Sequence, residues 1–215
     1  MSAALLHLLQ LSDPTLPIGG YAHSGGLETY VQAGVVHDPG SAKELVRALL
    51  QTSVYYTDAA LVVLTYRAVV AGDEEEVMIL DRLCEAVKLP REIREASRKL
   101  GTRLLKIFGE RCPGRAPAHY AVVFGYCAAK LGIELREALM GFYYNVATGM
   151  VTNCVKLIPM GQQNGQTLLL SLHGLILELV EKGLEPDREL IGLSCAALDI
   201  RCMQHEQLYS RLYMS

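Results

Sequence analysis

Residues 16–28 read LPIGGYAHSGGLE, and they hold the first chemistry the chain could offer: His23 beside Ser24, a base next to a hydroxyl, between two glycine pairs. Paired glycines suit a backbone that takes positive φ or that a ligand approaches closely, so a phosphate loop is the first comparison. It fails on spacing. Gly20 and Gly25 have the separation of a Walker loop, but Gly26 and Leu27 follow where Lys and Ser/Thr are required. Gly19, Gly20, Gly25 and Gly26 do not make G-x-G-x-x-G, and the prolines of DPTLP deny the buried strand that must precede it. Ser24 sits in H-S-G-G, not in a nucleophile elbow. Two readings are left: an irregular lead-in, with Gly26 opening a helix that carries Leu27, Tyr30, Val31 and Ala33, or a small catalytic centre on His23 and Ser24.

Metal chemistry has one candidate, Cys202 and His205, one helical turn apart if that segment is helical. Two ligands make a weak site, and a nickel-binding chaperone is the reading that would use them. The six cysteines stand singly, without a C-x-x-C, and are expected to be buried small hydrophobes in a reducing compartment. His7, His37, His119 and His173 show no partner in sequence, and His173, within an apolar run, is expected in the core. Asp13, Glu28, Asp38 and Asp58 could meet only through the fold. No nucleophile, carboxylate pair or ligand cluster converges, which favours a binding protein over an enzyme.

Composition narrows the partners. At 215 residues the chain is long enough for one domain with a substantial core. Its formal net charge of −3 argues against a nucleic-acid binder. The N-terminus lacks a basic n-region, and the apolar runs Ala121–Ala129 and Leu168–Val180 fall short of the roughly 18 to 20 residues that span a bilayer, so a soluble, cytoplasmic protein is expected.

The elements that must position these residues are helical. Ser41 and Glu44 read as a capping box for a helix through Leu45, Leu49 and Val54 that continues from Ala59 to Val70 until Gly72. Asp73 with Glu76 opens the next, with Val77, Leu80, Leu83, Cys84 and Val87 inward and Glu74–Glu76 as first-turn anions. Pro90 breaks it. The following helix turns Ile93, Ala96, Leu100, Leu104 and Ile107 inward and a basic face outward. After a loop at Pro113, Gly114 and Pro117, with Pro117 as a first-turn residue, a helix runs to Lys130 and closes at Gly132. Glu134–Leu157 and Gln162–Lys182 make two long helices around the turn IPMGQQNGQ. No segment alternates like a strand. The expected fold is all-α, a bundle of roughly eight to ten helices without a sheet. It divides into a helical domain over 1–186, which includes the loop 13–26, and a C-terminal helix and tail over 187–215. The tail's polar and aromatic residues, Tyr209, Leu212, Tyr213 and Met214 among them, read as a frayed end or as a peptide that folds onto a partner.

LPIGGYAHSGGLE, NCVKLIPMGQQNGQ and the terminal HEQLYSRLYMS together resemble the urease accessory protein F family, in family order, while residues 35–130 match mainly by pattern. The resemblance implies a homodimeric, non-enzymatic adaptor without a cofactor. Such a protein binds a second urease accessory protein (UreD/UreH type), and the pair recruits a nickel-carrying GTPase (UreG type) to apo-urease and couples GTP hydrolysis to nickel insertion. It assigns partner binding to Gly19, Gly20, Tyr21, Ser24, Gly26 and Glu28 of the loop. Lys156 and Gln166 match positions the family turns toward the GTPase, although from its residue type and place alone Lys156 reads as a solvated lysine at a helix C-terminus. In the tail the resemblance marks His205, Glu206, Tyr209, Arg211 and Leu212, with Arg211 in a segment that becomes ordered when the second accessory protein binds. Tyr213 stands where the family more often has phenylalanine.

Overall fold

The computed structural model describes residues 3–108, 117–193 and 196–214. Cys112, Pro113, Gly114 and Cys195 lie outside them. Among the described residues the chain is all-α, without a strand, as its periodicity requires. The order is α1 (Ala4–Leu11), α2 (Leu27–Gln32), α3 (Pro39–Leu49), a π-helical stretch (Leu50–Ala59), α4 (Ala60–Ala71), α5 (Glu74–Val87), α6 (Arg91–Phe108), α7 (Tyr120–Lys130), α8 (Leu135–Leu157), α9 (Gln162–Ser171), α10 (His173–Gly183) and α11 (Ala196–His205).

Three boundaries differ from expectation for local reasons. The capping box is Asp38 with Ser41, not Ser41 with Glu44: Asp38 accepts from the Ser41 backbone N–H at 2.7 Å, and Pro39 takes the first helical position. Pro117 precedes the first turn of α7, which begins at Tyr120. The helix expected over Gln162–Lys182 breaks at Leu172, whose N–H bonds to Leu169 in a tight turn, and Gln162–Gln166 belong to α9 instead of the preceding turn. Gly72 and Gly132 close their helices at φ +74° and +67°, and Asp73 caps α5 through the Glu76 N–H. After Asp187, among the described residues, one 3₁₀ turn, Arg188–Leu190, precedes α11.

From Pro39 to Ala71 the chain is one continuous helix of 33 residues, long and apolar enough by composition to cross a membrane, but half of its most apolar window is buried inside the bundle. It is a core helix. α4 and α7 touch backbone to backbone, since a Cβ on Gly125 would lie 2.4 Å from the Val62 carbonyl oxygen. α6 meets the start of α7 as closely through Gly101. Around α8, Phe124 and Phe142 pack edge to face at 5.1 Å, and Leu139, Phe142 and Tyr143 are fully buried.

The surface corrects three inward assignments. Ile107 is exposed. His173 is exposed too, with its ring 6.2 Å from that of Tyr144, because the turn at Leu172 rotates it away from the core. The apolar run of α9 and α10 buries Leu168, Leu172, Ile176 and Val180 but leaves Leu170 and Leu177 on the outside. Cys84, Cys127, Cys154 and Cys202 are buried thiols, as expected.

Candidate functional site

The glycine-rich segment folds as a short lid fixed from two sides. Gly19 takes φ +89°, and the space a side chain would need there holds the Arg103 guanidinium, which donates to the Ile18 carbonyl at 2.9 Å. Asn153 of α8 donates to the His23 carbonyl at 2.9 Å. Gly20 and Tyr21 form the 3₁₀ turn between these anchors, and a Cβ on Gly20 would meet nothing. Gly26, at φ +83°, then starts α2, and a Cβ on it would come within 2.7 Å of Cys202 Sγ. Only glycine lets α11 lie this close.

That approach puts His205 over Glu28. His205 is fully buried, with Nε2 3.1 Å from Glu28 Oε2 and Nδ1 2.7 Å from Glu92 Oε2. Arg211 adds a guanidinium, donating to Glu92 Oε1 at 2.6 Å. Glu28 closes the arrangement by accepting the backbone N–H of Leu212 at 2.7 Å and of Tyr213 at 3.2 Å. Two carboxylates thus face one imidazole, one guanidinium and two amides, which is how buried charge is held without large loss. The chain end is stitched further: Met214 N–H donates to the Ala22 carbonyl, and Gln32 to that of Ser210.

The tail is therefore docked on the body as a strap, not a frayed end. Its order has a local cause in Glu28, whose carboxylate stands where an incoming peptide presents two consecutive N–H groups. Tyr213 is buried with Lys156 Nζ 6.0 Å from its ring centre, and burial, then the charge of Glu28, raises its phenol. The neighbouring Tyr209, Leu212 and Met214 point their side chains to solvent.

Of the residues marked in sequence, Gly26, Glu28, His205, Arg211 and Leu212 come together directly, and Lys156 joins them through Tyr213. Ser24 is buried beside them, and its carbonyl accepts the Leu27 N–H at 3.3 Å. Glu206 is half-buried at the end of α11. Gln166 is exposed on α9 beside Gly165, which packs on Val155 of α8, so the Lys156 and Gln166 backbones flank one helix crossing. Glu92 is the residue sequence reasoning missed: it reads as a first-turn acid, and nothing local distinguishes it.

The metal reading through Cys202 and His205 does not fit this geometry. Both ring nitrogens of His205 face carboxylates, and burial pushes the Cys202 thiol up to about 12, so no thiolate is on offer. Among the described residues no group of three His, Cys, Asp or Glu side chains is placed to hold a metal ion. His23 lines a cavity of about 360 Å³ under the lid together with Ser24, Asn145 and Asp58, and burial, followed by Lys99 and Arg103, holds its ring below the usual imidazole range.

A second polar knot is structural. His119, 1% exposed, contacts Glu85 at 2.7 Å and Ser97 at 3.2 Å. Asp81 accepts from the Ala118 and His119 N–H groups and Ser97 from that of Tyr120, so the knot caps α7. Asp58 instead pairs with Lys88 at 2.8 Å, and Asp13 and Asp38 make local turns and caps.

The chain is thus an all-α body whose best-built polar cluster joins its C-terminal peptide to its glycine-rich segment. The profile of the family described as UreF matches residues 36–173. Over nearly their full lengths the chain is 43% identical to the urease accessory protein UreF of Actinobacillus pleuropneumoniae, covering 99% of this chain and 98% of that one. It is likewise 43% identical to that of Haemophilus influenzae (99% and 94%) and 36% identical to that of an Arthrobacter species (98% and 96%). The chain belongs to the UreF family of urease accessory proteins. The profile match ends before the tail and begins after the glycine-rich loop; the full-length relatives extend the likeness over both.

Proposed function

We propose that this protein is a non-catalytic, cytoplasmic adaptor of urease maturation. Residues 187–215, with the loop 13–26, receive a second accessory protein of the UreD/UreH type, and the α8–α9 corner at Lys156 and Gln166 receives the nickel-carrying GTPase of the UreG type. The assembly then acts on apo-urease, with nickel as cargo. One observation carries the reading: Glu28 ties the strap to the glycine-rich loop, so the loop's freedom serves backbone approach to a peptide and not to a phosphate. Around that junction Tyr209, Leu212 and Met214 offer apolar side chains to solvent, as an interface requires. A homodimer is supported by a separate apolar surface, where Leu5, Leu6 and Leu9 of α1 are each about 60–70% exposed.

The test is co-expression of the tagged chain with both partners and light-scattering mass of the complex, for the full chain, for a chain lacking 205–215, and for Lys156→Ala and Gln166→Ala. The adaptor reading expects a two-fold complex that requires the tail, and GTPase recruitment lost in the two point variants. A monomer indifferent to both partners refutes it, and recruitment unchanged in both variants refutes the assignment of the corner.

A further inference from the structure

Charge is distributed unevenly in this chain. α6 carries six Lys and Arg against two Glu, four net positive charges in 18 residues, so the rest of the chain holds a net charge of −7 within the overall −3. At 3.6 residues per turn Arg91, Arg98, Lys99, Arg103 and Lys106 fall within an arc of about 140°, and all five are exposed. Ala96, Ser97, Gly101 and Leu104 fill the buried side. Solvation of a basic helix face is the ordinary explanation, and Glu92 and Glu95 lie within the same arc near its N-terminal end, but no carboxylate of α6 follows them. Here Arg91 pairs with Glu95 at 2.9 Å and Arg98 reaches Glu85 only at 3.9 Å, while among the described residues Lys99, Arg103 and Lys106 have no carboxylate within 4 Å.

The stripe is also continuous with the glycine-rich lid. Arg103 spends one N–H on the Ile18 carbonyl and occupies the space left by Gly19, which holds the lid against the basic face. Burial first, then the field of Lys99 and Arg103, holds the His23 ring below the usual imidazole range.

We propose that the exposed face of α6, with the adjoining lid, docks an acidic segment of a protein partner, whose carboxylates pair with Arg98, Lys99 and Lys106. This rests on the reading of the chain as a docking protein but not on which partner supplies the segment. Exposed cations along about 12 Å of helix, from residue 98 to 106, match carboxylates one turn apart on a facing helix or alternating along an extended strand. Such a face raises association rates and makes binding salt-dependent more than it adds affinity.

The probe is a labelled polyglutamate peptide of about ten residues, followed by fluorescence anisotropy with the full chain at about 25 mM and about 0.15 M salt. Binding at low salt that weakens at high salt, and falls about tenfold or more in Arg98→Glu/Lys99→Glu/Lys106→Glu, is expected. The glutamine triple, Arg98→Gln/Lys99→Gln/Lys106→Gln, should give an intermediate loss and stands in if the reversed variant misfolds. No peptide binding, binding unchanged in the variants, or tighter binding of a DNA duplex than of the peptide overturns the inference. So does a triple variant that changes only self-association. Because the triple variants leave Lys156 and Gln166 in place, a failed peptide test with intact GTPase recruitment removes this inference and leaves the adaptor reading standing.

Discussion

Replacing Glu28 by Gln should release the strap while leaving the body folded. The Glu28 carboxylate is 5% exposed and takes three donors: His205 Nε2, Leu212 N–H and Tyr213 N–H. An amide of the same shape keeps one acceptor oxygen and turns a donor toward what were donors. Hydrogen bonds to a buried charge contribute about 1.5–3 kcal/mol each, and part of this set survives, so docking should weaken by about 2–4 kcal/mol. That shifts the docked-to-undocked ratio roughly 30- to 700-fold. Amide hydrogen exchange followed by mass spectrometry reads it at Leu212, Tyr213 and Met214, whose N–H groups are all bonded in the docked tail. Exchange at these three should accelerate by a comparable factor, while the Val62 and Phe124 regions stay protected, and trypsin should cut after Arg211 sooner. Wild-type exchange at Leu212 and Tyr213 in a folded Glu28→Gln protein would refute the claim that this carboxylate holds the tail.

Two further outcomes follow from packing and burial. Gly125→Ala forces a Cβ to within 2.4 Å of the Val62 carbonyl, a backbone atom that cannot yield, and should lower stability by about 1–3 kcal/mol or more. Gly149→Ala, in the interior of α8 with open space around it, should raise stability by about 0.5–1 kcal/mol; thermal melts of the pair check both, and equal shifts would contradict the α4–α7 contact. For pH, burial first of all holds His119 and His23 below the ordinary imidazole value, so the folded state binds fewer protons than the unfolded chain below about pH 6.5. The stability they contribute is complete above that value and is lost as pH falls through it, at no more than about 1.4 kcal/mol per pH unit for each. Urea midpoints should therefore drop between about pH 7.5 and 5.5, and His119→Gln should flatten the dependence; a slope identical to wild type would mean that His119 is not the group responsible.

Much of the fold is legible before folding because its determinants are local. Apolar residues three and four apart, Pro90, and the terminal Gly72 and Gly132 act within a turn or two, so the all-α class and most helix bodies can be read directly. Where local competition is close the reading slips: Asp38 outcompetes Ser41 as a cap three residues away, and Leu172 breaks an apolar run that composition alone would continue. The glycines of the loop announce that something comes close, yet they do not say what, because the Cys202 thiol and the Arg103 guanidinium that fill their missing side chains are 176 and 84 residues distant.

The junction itself is decided only in three dimensions. Glu28 and His205 are 177 residues apart, Glu92 and His205 are 113, and Glu28 and Leu212 are 184. Each looks ordinary in its own neighbourhood: a helix-start acid, a second first-turn acid, a lone histidine, an aliphatic residue near a chain end. Sequence by itself determines that the chain is helical and that it carries a permissive loop and an unusual tail. The tertiary structure decides that loop and tail are one site, since a buried carboxylate is tolerated only where cations and amides converge on it, and only the packing of α11 on α2 and α6 brings them there.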